Sequence, residues 1–468
     1  MWRIHQALGL AAISVLLAAC GLSRQALPST PLEVADAYAS PSNATLTSPE
    51  EGWWQTFGDA SLSQAVEATL AGNLTLATAQ ARIAQATSAV RQTRSGWFPS
   101  IDATLSAGRA RSFAPPPLDA ATAGQLQASV AAAYEVDIWG RTRQGVRAAS
   151  AEVSALEADT EAIAMSLSAS VAEIWLTVVH LRARGALLDE QLATQRRFIE
   201  LVERRFVIGT ASALDIEQQR GQRDALVTEQ IQLQGQLASA SVSLSALQGG
   251  PISIQTPETP TALPALPLAP SLGVPLDLLT RRPDVRAAQA RAAAADSRVT
   301  AAVADRLPSL RLAASVSSQG TSVRNLFDQL FWNIAASVTA PLVDGGRRRA
   351  AVAQAESVLD VALLTWADTL LTAISEVEHA AAQTDAQQAY IDALEQQMQS
   401  AERALSLSEE QYRFGSGDYL RVLSAVATLQ SLERAQLAAA RQQLSFRIQL
   451  HRALGGSWAS DALADRAP

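Results

Sequence analysis

Gln80-Ala-Arg-Ile-Ala-Gln-Ala86 runs on to Trp97-Phe-Pro-Ser-Ile101, and Gln289-Ala-Arg-Ala-Ala-Ala-Ala295 runs on to Arg306-Leu-Pro-Ser-Leu310. The two phrases stand 209 positions apart, an offset that Pro99 and Pro308 share. Further along, Glu203-Arg-Arg-Phe-Val-Ile-Gly-Thr210 matches Glu409-Glu-Gln-Tyr-Arg-Phe-Gly-Ser416 at an offset of 206, and Gln248-Gly249 answers Leu454-Gly455. Such self-similarity marks a tandem duplication. Each half reads as a long helix, a strand pair, a long helix and a returning helix.

Working outward from Pro99, the hydrophobic period drops from that of a helix to two. Ile101, Ala103, Leu105 and Ala107 alternate with Ser100, Asp102, Thr104 and Ser106. Beyond the Pro115-Pro-Pro117 loop, Leu126, Ala128, Val130, Ala132, Tyr134 and Val136 alternate with polar or small residues. The second copy repeats the pattern with Leu310, Leu312, Ala314 and Val316, and then with Trp332, Ile334, Ala336, Val338 and Ala340. Each segment has about the ten residues a tilted strand needs to cross a bilayer. A soluble antiparallel sheet alternates as well. Here, however, the polar positions are small residues with scattered Asp, Glu and Arg, as in a wet lumen, and no second sheet exists to cover the apolar positions. Four strands cannot close a barrel, and lipid does not tolerate an open sheet edge. The chain must therefore assemble with copies of itself. Two, three or four copies would give eight, twelve or sixteen strands, and the period alone does not choose.

From Arg141 to Val207 the chain has no Pro, and Val153, Leu156, Ile163, Leu167, Val171 and Ile174 recur at helical spacing. At about 1.5 Å per residue this is a rod of roughly 100 Å. Gly209 interrupts it and a helix returns from Ser212 to Leu247. The twin rod spans Arg347 to Arg413, breaks at Gly415-Ser-Gly417 and returns as far as Leu454. Continuous apolar stripes on helices of this length suit coiled-coil packing. The domain reading is then repeat 1 over 51–250, with strands about 98–138 and a helical hairpin about 140–248, and a Pro-rich connector over 251–275. Repeat 2 follows over 276–456, with strands about 308–343 and a helical hairpin about 345–454, and then a tail over 457–468.

Composition supports long, closely packed helices. Ala is abundant, aromatics make up 5%, and all 37 basic side chains are Arg. The net charge of −8 and the lack of any basic run beyond Arg347-Arg348-Arg349 exclude a nucleic-acid partner. The single cysteine, Cys20, permits no intramolecular disulfide. It follows a basic start, Met1-Trp-Arg-Ile-His5, and an apolar stretch from Leu8 to Ala19 too short to span a bilayer. Leu17-Ala18-Ala19-Cys20 resembles a lipoprotein processing site, which predicts a signal peptide over 1–19, lipidation of Cys20 and an extended, lipid-anchored linker over 20–50. Gly21, rather than Asp, after the lipidated residue implies sorting to the outer membrane.

No chemistry of the catalytic kind is legible. The four histidines, His5, His180, His379 and His451, are scattered, and none has a partner at metal-ligand spacing. No Gly-rich loop cradles a phosphate, and acidic pairs such as Glu409-Glu410 lie on helices. The reading is a non-enzyme without metal or cofactor.

Four word-like segments resemble the TolC-like outer-membrane factors, in particular the NodT-type lipoprotein branch that serves RND efflux systems. They are Trp53-Trp54 with Phe57 and Asp59; Tyr134-Glu-Val-Asp-Ile-Trp-Gly-Arg141; Arg281-Arg-Pro-Asp-Val285; and Pro341-Leu-Val-Asp-Gly-Gly-Arg-Arg-Arg349. The resemblance implies an α+β membrane protein and a homotrimer. In it a twelve-stranded outer-membrane β-barrel joins a long periplasmic α-barrel, with a periplasmic adaptor and an inner-membrane RND pump as partners. The implied function is passive conduction of small toxic compounds or drugs to the exterior, with type I secretion of protein or peptide as the alternative.

Within that frame, Asp137 and Asp344 stand where a strand hands over to a rod and can cap the helix, and Trp139 suits a membrane interface. Pro283 and Asp284 suit a helix start. The helix-return tips, Ile208-Gly209-Thr210 and Phe414-Gly415-Ser416, are expected to meet the adaptor. Leu214, Asp215, Leu420 and Arg421 are the gate candidates. Related factors close with a Leu ring and an Asp ring; the Leu matches Leu420, whereas Ser424 stands at the Asp position and Ala427 at the Arg that often follows. Closure is then expected to rest on Leu420, with Asp215 and Arg421 pairing between helices.

Overall fold

A computed structural model describes residues 32, 34–39, 52–112, 121–254 and 259–456. Cys20 with the signal stretch, most of the linker, the Pro115–Pro117 loop and the 457–468 tail lie outside the described residues. The chain is mostly helical. In order it forms α1 (Ala60–Gly72), α2 (Leu74–Arg94), β1 (Ser100–Ser112), β2 (Ala121–Val136), α3 (Arg141–Val207) and α4 (Ala213–Gln248). After the connector come α5 (Pro283–Ala304), β3 (Ser309–Gly320), β4 (Leu330–Thr339), α6 (Arg347–Arg413) and α7 (Tyr419–Ala453). Two compact units result: 81–157 with 287–367, and 32–80 with 158–286 and 368–456.

The first unit holds a four-stranded antiparallel sheet in the order β1-β2-β3-β4. Its register extends the sequence alternation across all four strands. Ile101 pairs with Ala132, which pairs with Ala314 and then Ile334; Ala103, Val130, Val316 and Trp332 form the next row. Because successive side chains point to opposite faces, every apolar set lands on one face. That face is bare in the single chain, with Leu105 75%, Trp332 74% and Ile334 77% exposed. The other face carries rows such as Asp102, Ala131, Ser315 and Asn333. Ser318 departs from the apolar pattern, and its hydroxyl donates to the Leu326 and Gln329 carbonyls of the β3–β4 turn. Beside the sheet, Ala295 and Val299 of α5 pack on Leu359 of α6.

The second unit is helical and built around Trp53, Phe57, Leu62, Trp175, Leu176, Leu444 and Ile448. Trp175 is fully buried, and its Nε1 donates to Ser61 Oγ at 2.9 Å, which satisfies the one polar atom it carries inward. Here the duplication becomes structural. The backbone of Gly249 lies against that of Gly72, with no room for a Cβ on either residue. The backbone of Gly455 meets Arg281 in the same way, so a Cβ there would fall 2.9 Å from the Arg281 carbonyl. One position later, Asn73 Nδ2 donates to the Leu247 carbonyl at 2.8 Å, and Arg282 Nη1 to the Ala453 carbonyl at 3.1 Å. The two repeats thus tie the start of one helix to the last carbonyls of the returning helix by equivalent contacts.

Candidate functional site

In the first unit, two aspartates turn strand into helix. Asp137 accepts from the Thr142 and Arg143 backbone N–H groups at 3.0 and 2.9 Å, filling donors that the first turn of α3 leaves open. Asp344 does the same for α6 through Gly346 and Arg348, at 3.0 and 3.3 Å. Desolvation works against the Asp344 charge but is outweighed by those donors and by the Arg348 guanidinium, so its carboxyl sits below the usual range. Trp139 Nε1 donates to the Pro308 carbonyl at 2.7 Å and fastens the end of β2 to the start of β3. Between these turns lies a cavity of about 640 Å³ whose lining includes Glu135, Trp139, Arg141, Asp305, Arg311 and Arg348. Glu135 pairs with Arg141 at 2.7 Å and with Arg311 at 3.3 Å, and Arg348 with Asp305 at 3.2 Å. The polar sheet face therefore ends in a collar of mixed charge.

In the second unit, the two helix returns share one construction. Gly209 (φ 78°) and Gly415 (φ 75°) take the left-handed conformation that only Gly adopts without penalty. Thr210 and Ser416 then donate backbone N–H groups to the Arg205 and Gln411 carbonyls at 2.9 and 3.0 Å, and their hydroxyls donate to the same carbonyls at 3.2 Å each. This is the 6→1 closure of a helix C-terminus. It leaves Ile208 72% and Phe414 80% exposed. The outgoing helices are capped at once: Ser212 and Asp215 form a reciprocal capping box, at 2.7 and 3.3 Å, and Asp418 accepts from Leu420 N at 3.2 Å.

Of the gate candidates, Leu214 and Leu420 are exposed, and Arg421 is exposed as well. Within the single chain, among the described residues, no ion pair joins Asp215 and Arg421, and one oxygen of the Asp215 carboxylate accepts from the Ser212 N–H. Ser424, one turn after Leu420, is also exposed.

The residues that bring the two tips together were missed by sequence reasoning. Val202, Ile216 and Tyr419 form a buried cluster with Ala211 and Tyr412. Tyr412 and Tyr419 meet at 5.4 Å, and the Arg205 guanidinium lies 3.9 Å from the Tyr412 ring centre. Burial, chiefly, and then neighbouring Tyr412 hold the Tyr419 phenol above its ordinary pKa. The available signal was that two of only five tyrosines flank one tip. One turn deeper, the buried Gln195 donates to the carbonyl and side-chain oxygens of Gln219. Among the described residues no group of His, Cys, Asp or Glu could hold a metal ion.

Comparison with known proteins gives a consistent answer. The profile of the family described as "Outer membrane efflux protein" matches residues 65–250 and 274–456, one match per repeat. The pyoverdine export outer membrane protein OpmQ of Pseudomonas aeruginosa is 31% identical, with 97% of each chain covered. The toluene efflux pump outer membrane protein TtgC of Pseudomonas putida is 29% identical, over 90% of this chain and 88% of its own. The solved outer-membrane channel OprN superposes with a TM-score of 0.82 at 26% identity, over 92% of this chain and 99% of its own.

Proposed function

Because the chain belongs to the outer membrane efflux protein family, we propose that it is the outer-membrane exit duct of a tripartite efflux system, moving small compounds passively outward. It does so as a homotrimer whose twelve strands close one barrel, fed by a periplasmic adaptor and an inner-membrane RND pump. One observation carries the reading: the register collects every apolar set on a single bare face, with β1 and β4 as unpaired edges. Lipid can cover such a face but cannot satisfy the edges, so neighbouring copies must pair β1 with β4. The exposed row Val358, Val361 and Leu364 on α6 supports assembly as well, since it is apolar surface that a neighbouring copy would cover. Cargo of small-molecule size agrees with relatives named for pyoverdine and toluene; secretion of protein is not favoured. Cys20 is assigned as the lipid anchor at the outer membrane, holding the extended linker at the surface.

The test uses the full chain purified from outer membranes. Cysteines placed on the polar face at Ser106 in β1 and Asn333 in β4 should cross-link into species no larger than trimers, and the protein should form channels in planar bilayers. A cross-linked limit at two or four copies would overturn the stoichiometry, and absence of conductance would overturn the duct. Cys20→Ser should lose acyl labelling while the channel still conducts; a mature N-terminus elsewhere than Cys20 would refute the anchor.

A further inference from the structure

The polar face of the sheet departs from its own pattern twice. Among the described residues its positions are small, hydroxylic, amide-bearing or charged, with one large apolar side chain, Phe331, and one glycine, Gly108. Phe331 lies opposite Ser317, which is too small to cover it, and is 48% exposed. Gly108 lies opposite Gln125. A Cβ there would meet nothing within 4 Å, so no contact inside this chain calls for a glycine. Glycine within a strand weakens it and marks places where another group comes close. Each residue is anomalous alone, and the two stand on the two unpaired edges, Phe331 on β4 and Gly108 on β1.

Their heights agree. β1 starts at Ser100 and β4 ends at Thr339, both at the end of the sheet where strand meets helix. Phe331 is eight residues from Thr339, and Gly108 is eight residues from Ser100. The register supplies the stagger that keeps those ends level. Following the pairs from Ser100 through Ala133 and Ala313 leads to Ala335, four residues short of Thr339. Four residues, about 13 Å, over three strand spacings, about 14 Å, correspond to a tilt of roughly 40°, that of a membrane barrel.

In the duct proposed above, on which this inference rests, β4 of one copy pairs antiparallel with β1 of the next. The last residue of β4 then lies beside the first of β1, and Phe331 arrives at Gly108 of the next copy, directly opposite or one diagonal step away. An aromatic side chain reaches across either distance. We propose that Phe331 of each copy packs over Gly108 of the next, an aromatic clasp on the lumen side that fixes the register of the seam between copies. A ring laid across an edge glycine restores the packing that the missing side chain forgoes, and it takes both the ring and the bare backbone out of contact with the wet lumen.

The experiment uses the full chain purified from outer membranes. Phe331→Cys is combined in turn with Asp102→Cys, Thr104→Cys, Gly108→Cys and Ala110→Cys, and the oxidised samples are separated without reductant. Covalent dimers and trimers should form with Gly108→Cys or Ala110→Cys, and not with the two lower positions or in any single variant. A double-mutant cycle is read on the temperature at which the trimer dissociates. Phe331→Ala and Gly108→Val should each lower it, and together they should lower it by less than the sum, because a side chain at Gly108 no longer collides with the ring. Disulfides that peak at Asp102 or Thr104, or strictly additive shifts in a trimeric protein, refute this inference alone. A Phe331→Ala channel that conducts more and dissociates at the wild-type temperature also overturns it, and would make the ring a constriction standing in the lumen. Wild-type protein that forms no trimer removes the duct and the inference with it.

Discussion

Two arginines of the helical unit, both 4% exposed, show how differently one side chain can be used. Arg282 has two carboxylates at 2.6 Å, Asp284 and Glu376, besides the Ala453 carbonyl. Burial opposes its charge, but those partners more than offset it and raise its pKa. Removing it takes the buried partner from two half-exposed acids, and Glu376 keeps Arg452 at 3.8 Å, so Arg282→Met should cost roughly 1–3 kcal/mol, read as a lower thermal midpoint in detergent; an unchanged midpoint would show the pairs to be inert. Arg447 has no hydrogen-bond partner for Nε or Nη1 among the described residues. Its neighbour His451 stacks on Trp53 at 5.4 Å. Burial first, and the Arg447 charge second, push the His451 imidazole down to about 4. An unfolded histidine takes up a proton below about 6.5, whereas the folded one stays neutral to about 4, so folding loses about 1.4 kcal/mol per pH unit across that window, about 3 kcal/mol in all. Burial likewise holds His180 down to about 4, so stability measured from pH 7 to 4.5 should fall about twice as steeply and lose about half of that slope in His451→Gln. Equal slopes would exclude His451 as the sensor. None of this was legible beforehand, because a scattered histidine or arginine in the sequence does not disclose its burial.

Among the elements, the strands were the most readable part, since a period of two survives in any sequence that buries one face. Their register was not written locally, yet parity leaves few choices: a slip of one residue would have put Trp332 and Ile334 among serines. The tips were legible from Gly209 and Gly415, whose backbone no other residue tolerates well. Asp215 has a local role that its spelling gives away. Ser212-Ala-Leu-Asp215 is a capping-box spelling, and one oxygen of that carboxylate accepts from the Ser212 N–H. The Tyr412–Tyr419 cluster escaped because it joins segments about two hundred positions apart, and pattern reading has no means of pairing them. If the tips dock the adaptor through exposed Ile208, Phe414 and the neighbouring hydroxyls, then Thr210→Trp and Ser416→Trp should raise drug susceptibility toward that of the deletion strain while trimer yield is kept. Susceptibility that stays at the wild-type level in both variants would make them plain turns.

For the molecule as a whole, a duct at rest must be shut at its periplasmic end. We propose that closure rests on the exposed Leu420, placed one residue after the buried Tyr419 of the tip cluster. Leu420→Ala should increase single-channel conductance and vancomycin uptake, and Ser424→Ala should leave both unchanged; a Leu420→Ala channel with wild-type conductance would place the gate elsewhere. The open edges of the sheet bear finally on inheritance. A barrel whose seams are all intermolecular has no partial form, so a defective subunit is not diluted but spoils each ring it enters. If the ring is the proposed trimer, equal supplies of sound and faulty copies would leave only about one ring in eight wholly sound. A faulty allele of this protein should therefore behave as dominant, and resistance in a mixed background should collapse far sooner than the dose of sound protein declines.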